Sequence, residues 1–177
     1  MPNHIYIATS LDGFIATTDG GIDWLNDIPN PDGSDYGYTD FMQKMDALVM
    51  GRKTFQVVLG FGEWPYDKPV FVLSNSLTSI PDNLKDKVKI VSGDLKSVIS
   101  DLNKQGYQNL YIDGGKVIQS FLCEDLIDEM TITRIPILLG SGIPLFGELK
   151  QRLKFTNKNT QAFGNGLVMS SYVRDRE

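Results

Sequence analysis

The sequence predicts an α/β fold with a mostly parallel central sheet and an antiparallel C-terminal hairpin. Three observations lead there. Short, nearly continuous apolar runs alternate with amphipathic helical stretches through the first two-thirds of the chain, the pattern of a sheet covered on both faces. After Asp128 the rhythm changes to residue-by-residue alternation, which marks half-exposed strands. The junctions after the early strands carry glycine or small polar residues where the chain must turn sharply into the next element.

In chain order, Ile5 to Thr9 form the first expected strand, and the loop-rich stretch from Pro29 to Asp35 then rims the next helix, Thr39 to Met45. Strand Ala47 to Met50 precedes helix Thr54 to Leu59, and strands Val70 to Leu73 and Val88 to Val91 follow. Leu95 to Gln105 is a helix with Asp94 as N-cap, an apolar face of Leu95, Val98, Ile99 and Leu102, and a stop at Gly106. Strand Leu110 to Ile112 enters a helix from Val117 to Leu126. Met130 to Ile135 reads as a strand, and Leu153 to Phe163 with Leu167 to Val173 as a hairpin closed by Gly164-Asn165-Gly166. The 177 residues fit one domain, spanning 1–177.

Composition excludes several classes of function. Hydrophobic residues at 41% and charged residues at 22% suit a soluble globular chain, and no apolar run approaches the roughly 18 residues of a membrane span. The start, Met1-Pro2-Asn3-His4 followed at once by a strand, lacks the features of a secretory leader, so a cytoplasmic location is expected. The single cysteine, Cys123, rules out an internal disulfide and a cysteine-built metal site, and no metal is expected. His4, the only histidine, sits too early in the chain for a histidine-based triad. Seventeen basic against 22 acidic residues, net −5, argue against nucleic acid as a partner.

Chemistry concentrates at the strand ends. Strand 47–50 runs into Gly51-Arg52-Lys53-Thr54, strand 70–73 into Ser74-Asn75-Ser76, strand 88–91 into Ser92-Gly93, and strand 110–112 into Asp113-Gly114-Gly115-Lys116. In open α/β sheets ligands sit beyond the carboxyl ends of the strands, so these junctions converge on one phosphate-rich molecule. Two glycines ahead of a helix let an anion approach its unpaired N–H groups and the positive end of its dipole. A tight turn that needs glycine explains the same pair. Neither G-x-G-x-x-G nor G-x-x-x-x-G-K-[ST] occurs, against an ordinary Rossmann dehydrogenase or P-loop nucleotidase.

The ordered set Ser10-Leu11-Asp12-Gly13-Phe14-Ile15-Ala16, Asp23-Trp24, Met50-Gly51-Arg52-Lys53-Thr54-Phe55, Leu73-Ser74-Asn75 and Ile112-Asp113-Gly114-Gly115-Lys116-Val117 resembles the dihydrofolate reductase-like superfamily over nearly the whole chain. The stretch from Pro136 to Phe146, PILLGSGIPLF, resembles the bacterial branch related to the reductase domain of riboflavin biosynthesis. The resemblance implies a three-layer dihydrofolate reductase-like fold and NADPH as cofactor. By position, it implies that Gly51, Arg52, Lys53 and Thr54, with Leu73, Ser74, Asn75 and Gly93, grip the adenosine and its 2′-phosphate. Ile112, Asp113, Gly114, Gly115, Lys116, Val117 and Ile118 then receive the diphosphate, with a cis peptide between the two glycines. Ala8, Ile15 and Ala16 flank the nicotinamide. Asp113 replaces a glycine of true dihydrofolate reductases and is expected to turn away from the anion as an N-cap.

On the substrate side the resemblance implies Trp24, Phe41 and Val58 as pocket walls and Thr133 as the polar residue of the later strand. The carboxylate that holds the substrate falls, in this register, near Gly37 or Tyr38, with Asp35 and Asp40 the nearest acids, so Asp35, Asp40 and Thr133 are the catalytic candidates; Asp40, at the helix start, is equally well explained as a cap residue. The expected activity is hydride transfer from NADPH to a small heterocycle of pterin or pyrimidinone type, or to a carbonyl compound. Two rivals stand beside it: the 5-amino-6-(5-phosphoribosylamino)uracil reductase of riboflavin biosynthesis, for which only Arg134 offers a basic contact on the substrate side, and a module that holds NADPH without turnover. The branch also implies a homodimer with the 135–146 segment near its interface.

Overall fold

The computed structural model describes residues 1–176. An eight-stranded sheet has the order β5-β4-β3-β6-β1-β7-β10-β9, formed by β1 (Asn3–Ser10), β3 (Ala47–Gly51), β4 (Val70–Leu73), β5 (Val88–Val91), β6 (Leu110–Asp113), β7 (Glu129–Ile135), β9 (Phe155–Ala162) and β10 (Val168–Arg174). The strands from β5 to β7 in that order are all parallel, and β10 and β9 close the sheet antiparallel. The α-helices among the described residues are α1 (Tyr38–Lys44), α2 (Arg52–Leu59), α3 (Leu95–Lys104) and α4 (Gly115–Cys123). β3 and β4 are almost wholly buried because helices and loops cover both faces there, which is why they are written as unbroken apolar runs.

Most expected elements stand within a residue or two of their places. α4 differs: expected as Val117 to Leu126, it spans Gly115–Cys123. Asp125 adopts a positive φ of 55° that no helix continues through, so apolar periodicity carried the reading past the true stop. β2 (Phe14–Ala16) and β8 (Ile143–Pro144), an antiparallel pair apart from the main sheet, were not expected at all. Each is too short to show a period. The implied cis peptide is also absent: every described peptide bond is trans, including Gly114–Gly115, and the turn is made by Gly114 at φ 95°.

Register fixes which side chains share a face. Met50 pairs with Asp113 and Leu48 with Tyr111, so these four project to one side, together with Val70 and Val72 of β4. His4 pairs with Tyr111, and alternation along β1 puts Tyr6 and Ala8 on that side too. Ala8 pairs with Thr133, which pairs with Met169. α1 lies over this face: Phe41 stacks against Tyr6 at 4.8 Å between ring centroids and meets Tyr111 edge-on at 5.0 Å. The opposite face carries Ile5, Val49 and Ile112 against Phe121, Leu122, Val98 and Leu102 of α3 and α4.

Candidate active site

The parallel strands bring Ser10, Gly51, Leu73, Val91, Asp113 and Ile135 to one edge of the sheet. There α2 and α4 begin side by side. A β-carbon on Gly51 would stand 3.0 Å from Val117 Cγ2, and one on Gly114 would stand 2.3 Å from Thr54 Oγ1, so the first turns of the two helices touch through their glycines. Gly114 therefore needs to be glycine twice over, for its positive φ and for the Thr54 contact.

The four helices treat their N-termini differently. Asp94 caps α3 by accepting the Ser97 N–H at 3.0 Å. Asp35 serves α1, its carboxylate accepting N–H groups of Gly37 and Thr39, both at 2.9 Å. α2 and α4 have no side-chain cap. Their orphan N–H groups and dipole ends are left together beside the exposed Arg52, Lys53 and Lys116, none of which is paired with an acid among the described residues. That is the electrostatic requirement of an anion seat, formed where two helices meet.

The remaining cofactor-side residues take distinct places. The Ser74 hydroxyl accepts the N–H groups of Ser76 and Leu77, shaping the turn after β4, and Asn75 is exposed beside it. Gly93, at φ 112°, turns the chain from β5 into the cap of α3. Ile15 packs its Cδ1 2.8 Å from where a Gly115 β-carbon would be, and Ala16 is buried. Ile112, Val117 and Ile118 are buried in the α4 core. Asp12 ties the loop after β1 to the 136–146 segment by accepting N–H groups of Leu139 at 3.2 Å and Gly140 at 2.8 Å.

On the other side of this edge, Trp24 is buried with Ile135, Leu167 and Ala8, and its Nε1 has no partner. Phe41 is half-buried on the Tyr6–Tyr111 face, Thr133 is buried on β7, and Val58 is buried on α2. Asp40 is exposed in the first turn of α1. Asp35 is exposed as well, and the Thr39 and Gly37 bonds hold its carboxyl below the usual range. The geometry of Asp35 is that of a cap.

Asp113 behaves otherwise. Desolvation raises its carboxyl to about 6, opposed only by the N–H of Gly114, which it accepts at 2.9 Å. The expectation that it turns aside as a helix cap is not met: the N-cap of α4 is Gly114, without a side-chain cap, and the Asp113 carboxylate accepts only from that immediate neighbour while its side chain stays on the Tyr111 face. Its negative charge helps raise the hydroxyls of Tyr38, to about 12, and of Tyr66 and Tyr111 further, burial being the larger cause in each. Tyr66 belongs to the 60–69 segment after α2, where it packs edge-on to Trp64. Sequence reading missed these tyrosines because each comes from a different element. The one signal present was Trp64-Pro65-Tyr66, two aromatics around a proline in a loop.

No group of three or more metal-ligating side chains occurs among the described residues, and no helix among them is long and apolar enough to cross a membrane.

A mostly parallel sheet extended by an antiparallel hairpin, with two uncapped helix N-termini at its carboxyl edge, is the dihydrofolate reductase-like fold. The dihydrofolate reductase from Enterococcus faecalis, solved with NADP(H), superimposes with a TM-score of 0.65 over 99% of this chain and 97% of that one, at 20% identity. The RibD C-terminal domain family matches residues 4–169, and the chain belongs to that family. It is 40% identical to the protein YwjB of Bacillus subtilis (strain 168) over 174 residues, 96% of each chain. It is 52% identical to a putative riboflavin biosynthesis protein from Shewanella sp. PV-4, with a TM-score of 0.96 and coverage of 99% and 100%.

Proposed function

We propose that this chain is an NADPH-dependent reductase acting on a small heterocycle of pterin or pyrimidinone type or on a carbonyl compound. The observation that carries the reading is the contrast between capped α1 and α3 and the uncapped, touching N-termini of α2 and α4 beside Arg52, Lys53 and Lys116. Such a seat fits a dinucleotide diphosphate, and the NADP(H) bound by the Enterococcus faecalis enzyme supports the choice. When bound, the reduced nicotinamide supplies hydride.

The chain's own residues bind and orient. Gly114, Gly115 and Lys116 with the α4 terminus hold the diphosphate. Arg52 and Lys53 meet the 2′-phosphate, and Thr54, Leu73, Ser74, Asn75 and Gly93 border the adenosine. Ala8, Ile15 and Ala16 position the nicotinamide against the face of Tyr6 and Thr133. Trp24, Phe41 and Val58 exclude water around the acceptor. The riboflavin-pathway alternative needs a further phosphate contact. Arg134, its one basic candidate, alternates with Thr133 and therefore projects away from this face, which favours an acceptor without a sugar phosphate. A homodimer joined through the 135–146 segment completes the reading.

Calorimetry with NADPH and NADH tests it. A charge-assisted phosphate contact is worth about 1.5–3 kcal/mol, so NADPH should bind about 10- to 100-fold more tightly, and Arg52→Ala with Lys53→Ala should erase the preference. Equal affinities for the two dinucleotides in the unaltered protein would remove the assignment.

A further inference from the structure

β2 and β8 pair through Phe14 with Pro144 and Ala16 with Ile143, with a register irregularity between the two bridges. Three residues against two make too few backbone bonds to hold together unaided, so the pair depends on what fastens its ends. At one end stands Asp12. Its carboxylate accepts the Ser10 hydroxyl at 2.5 Å and, across the chain, the N–H groups of Leu139 at 3.2 Å and Gly140 at 2.8 Å. Ser10 is fully buried and its Oγ also accepts the Phe14 N–H at 3.0 Å, so the carboxylate is fixed from behind while it reaches the 136–146 segment. Backbone bonds from Leu11 to the Ile137 carbonyl, 2.8 Å, and from Leu145 to the Gly13 carbonyl, 3.0 Å, flank it. At the other end Gln119 of α4 donates from Nε2 to the Pro144 carbonyl at 2.8 Å. Between these fastenings, Ile15 Cδ1 and Ile143 Cγ2 stand 2.8 and 3.3 Å from the place of a Gly115 β-carbon. The 136–146 segment thus joins the loop that carries Ile15 and Ala16 to the first turns of α4.

We propose that Asp12 is a positioning residue for the nicotinamide half of the dinucleotide: it touches no cofactor atom and acts by clamping the 136–146 segment against the loop after β1, which holds Ile15 and Ala16 in place. The inference rests on the reductase reading above and divides the cofactor site into two parts with separate supports. The diphosphate seat at the start of α4 follows directly from β6 of the main sheet. Ile15 and Ala16 sit on β2, which pairs only with β8 among the described residues. Bonds from N–H groups to a carboxylate are of the stronger, charge-assisted kind, and Asp12 directs them at a piece of backbone more than 120 residues away. With that clamp in place the loop is ordered before any ligand arrives; without it, the cost of ordering falls on the binding step, and on the part of the ligand that Ile15 and Ala16 meet.

The test uses the full chain and two probes, NADPH and 2′-phospho-ADP-ribose, which keeps the diphosphate and the 2′-phosphate and lacks the nicotinamide, with binding read by calorimetry. Asp12→Ala should weaken NADPH about 10-fold and leave 2′-phospho-ADP-ribose within about twofold. Asp12→Asn, which keeps the side-chain volume and one acceptor oxygen, should show the same split at smaller size, and it serves if the alanine variant folds poorly. The control is Asp46→Ala. Asp46 likewise accepts two backbone N–H groups from a distant stretch, those of Gln108 and Asn109, both at 2.8 Å, at the opposite edge of the sheet. Its loss should lower Tm and leave the ratio of the two affinities unchanged. A merely structural Asp12 would behave as Asp46 does. Equal weakening of both probes in Asp12→Ala, no weakening of either, the same split in Asp46→Ala, or equal affinity of the unaltered protein for the two probes would each overturn the inference. Failure of both probes to bind the unaltered protein is a separate result, which removes the reductase reading and this inference with it.

Discussion

Asp113 shows how one residue's surroundings decide its chemistry. Seen in the sequence it is an acid ahead of two glycines, a position where capping is the ordinary explanation. Its carboxyl is instead raised from 3.8 to about 6 by desolvation, and the sign of the consequence follows. The unfolded chain loses this proton first, so native stability is highest below the unfolded value near 4, falls as pH rises toward 6, and falls no further above it. The difference is worth about 3 kcal/mol. Asp113→Asn removes the titration. We expect the variant to exceed the unaltered protein in stability by up to about 3 kcal/mol at pH 8, with the gap closing toward pH 4, as read by urea unfolding. A gap that is the same at both ends of the range would show that the carboxyl is not desolvated in solution.

At the scale of elements, the site is a matter of how helix starts meet strand ends. α2 and α4 approach through Gly51 and Gly114, while Gly115 faces the separate β2–β8 pair through Ile15 and Ile143. The two glycines of the junction therefore do different work. At Gly114 an added β-carbon meets Thr54 and must adopt an unfavourable φ, so Gly114→Ala should cost about 1–3 kcal/mol of stability without any ligand. At Gly115 the nearest obstacle is the far end of Ile15, which can move. Gly115→Ala should fold with a small fall in Tm and bind NADPH at least 10-fold more weakly, because the displaced Ile15 is the residue expected beside the nicotinamide. Melting temperature and Kd measured on both variants separate the roles. Unchanged NADPH affinity in folded Gly115→Ala would mean that this glycine serves the turn alone.

Across the whole molecule, the 135–146 segment divides its apolar side chains. Leu145 is fully buried, whereas Leu138 is 71% and Phe146 51% exposed, with Leu11 and Leu149 also exposed. Asp12 holds this segment against the loop after β1, so Leu138 is carried on an anchored strip of chain. Exposed apolar side chains on a fixed scaffold suit a symmetric contact between two copies. Light scattering at micromolar concentration should give twice the 19.8 kDa chain mass, and Leu138→Glu with Phe146→Glu should return the monomer. A monomer mass for the unaltered protein would assign these side chains no role in assembly.

The sequence by itself determined the order of strands and helices, the parallel sheet with its antiparallel hairpin, and the glycine-bearing junctions at the strand ends, because periodicity, caps and turns are written in residues close along the chain. The β2–β8 pair was beyond its reach, since three residues and two residues hold no period. So was the end of α4, where one positive φ at Asp125 outweighs continued apolar spacing. The tertiary structure alone decided which acid is desolvated. Asp35 and Asp113 are the same side chain in sequence; one is exposed to water and to two backbone N–H groups, the other is desolvated at the end of β6, where its charge acts on tyrosines of α1, β6 and the loop before β4. Desolvation is the sum of what every neighbouring element brings to a point, and no local stretch of sequence contains that sum.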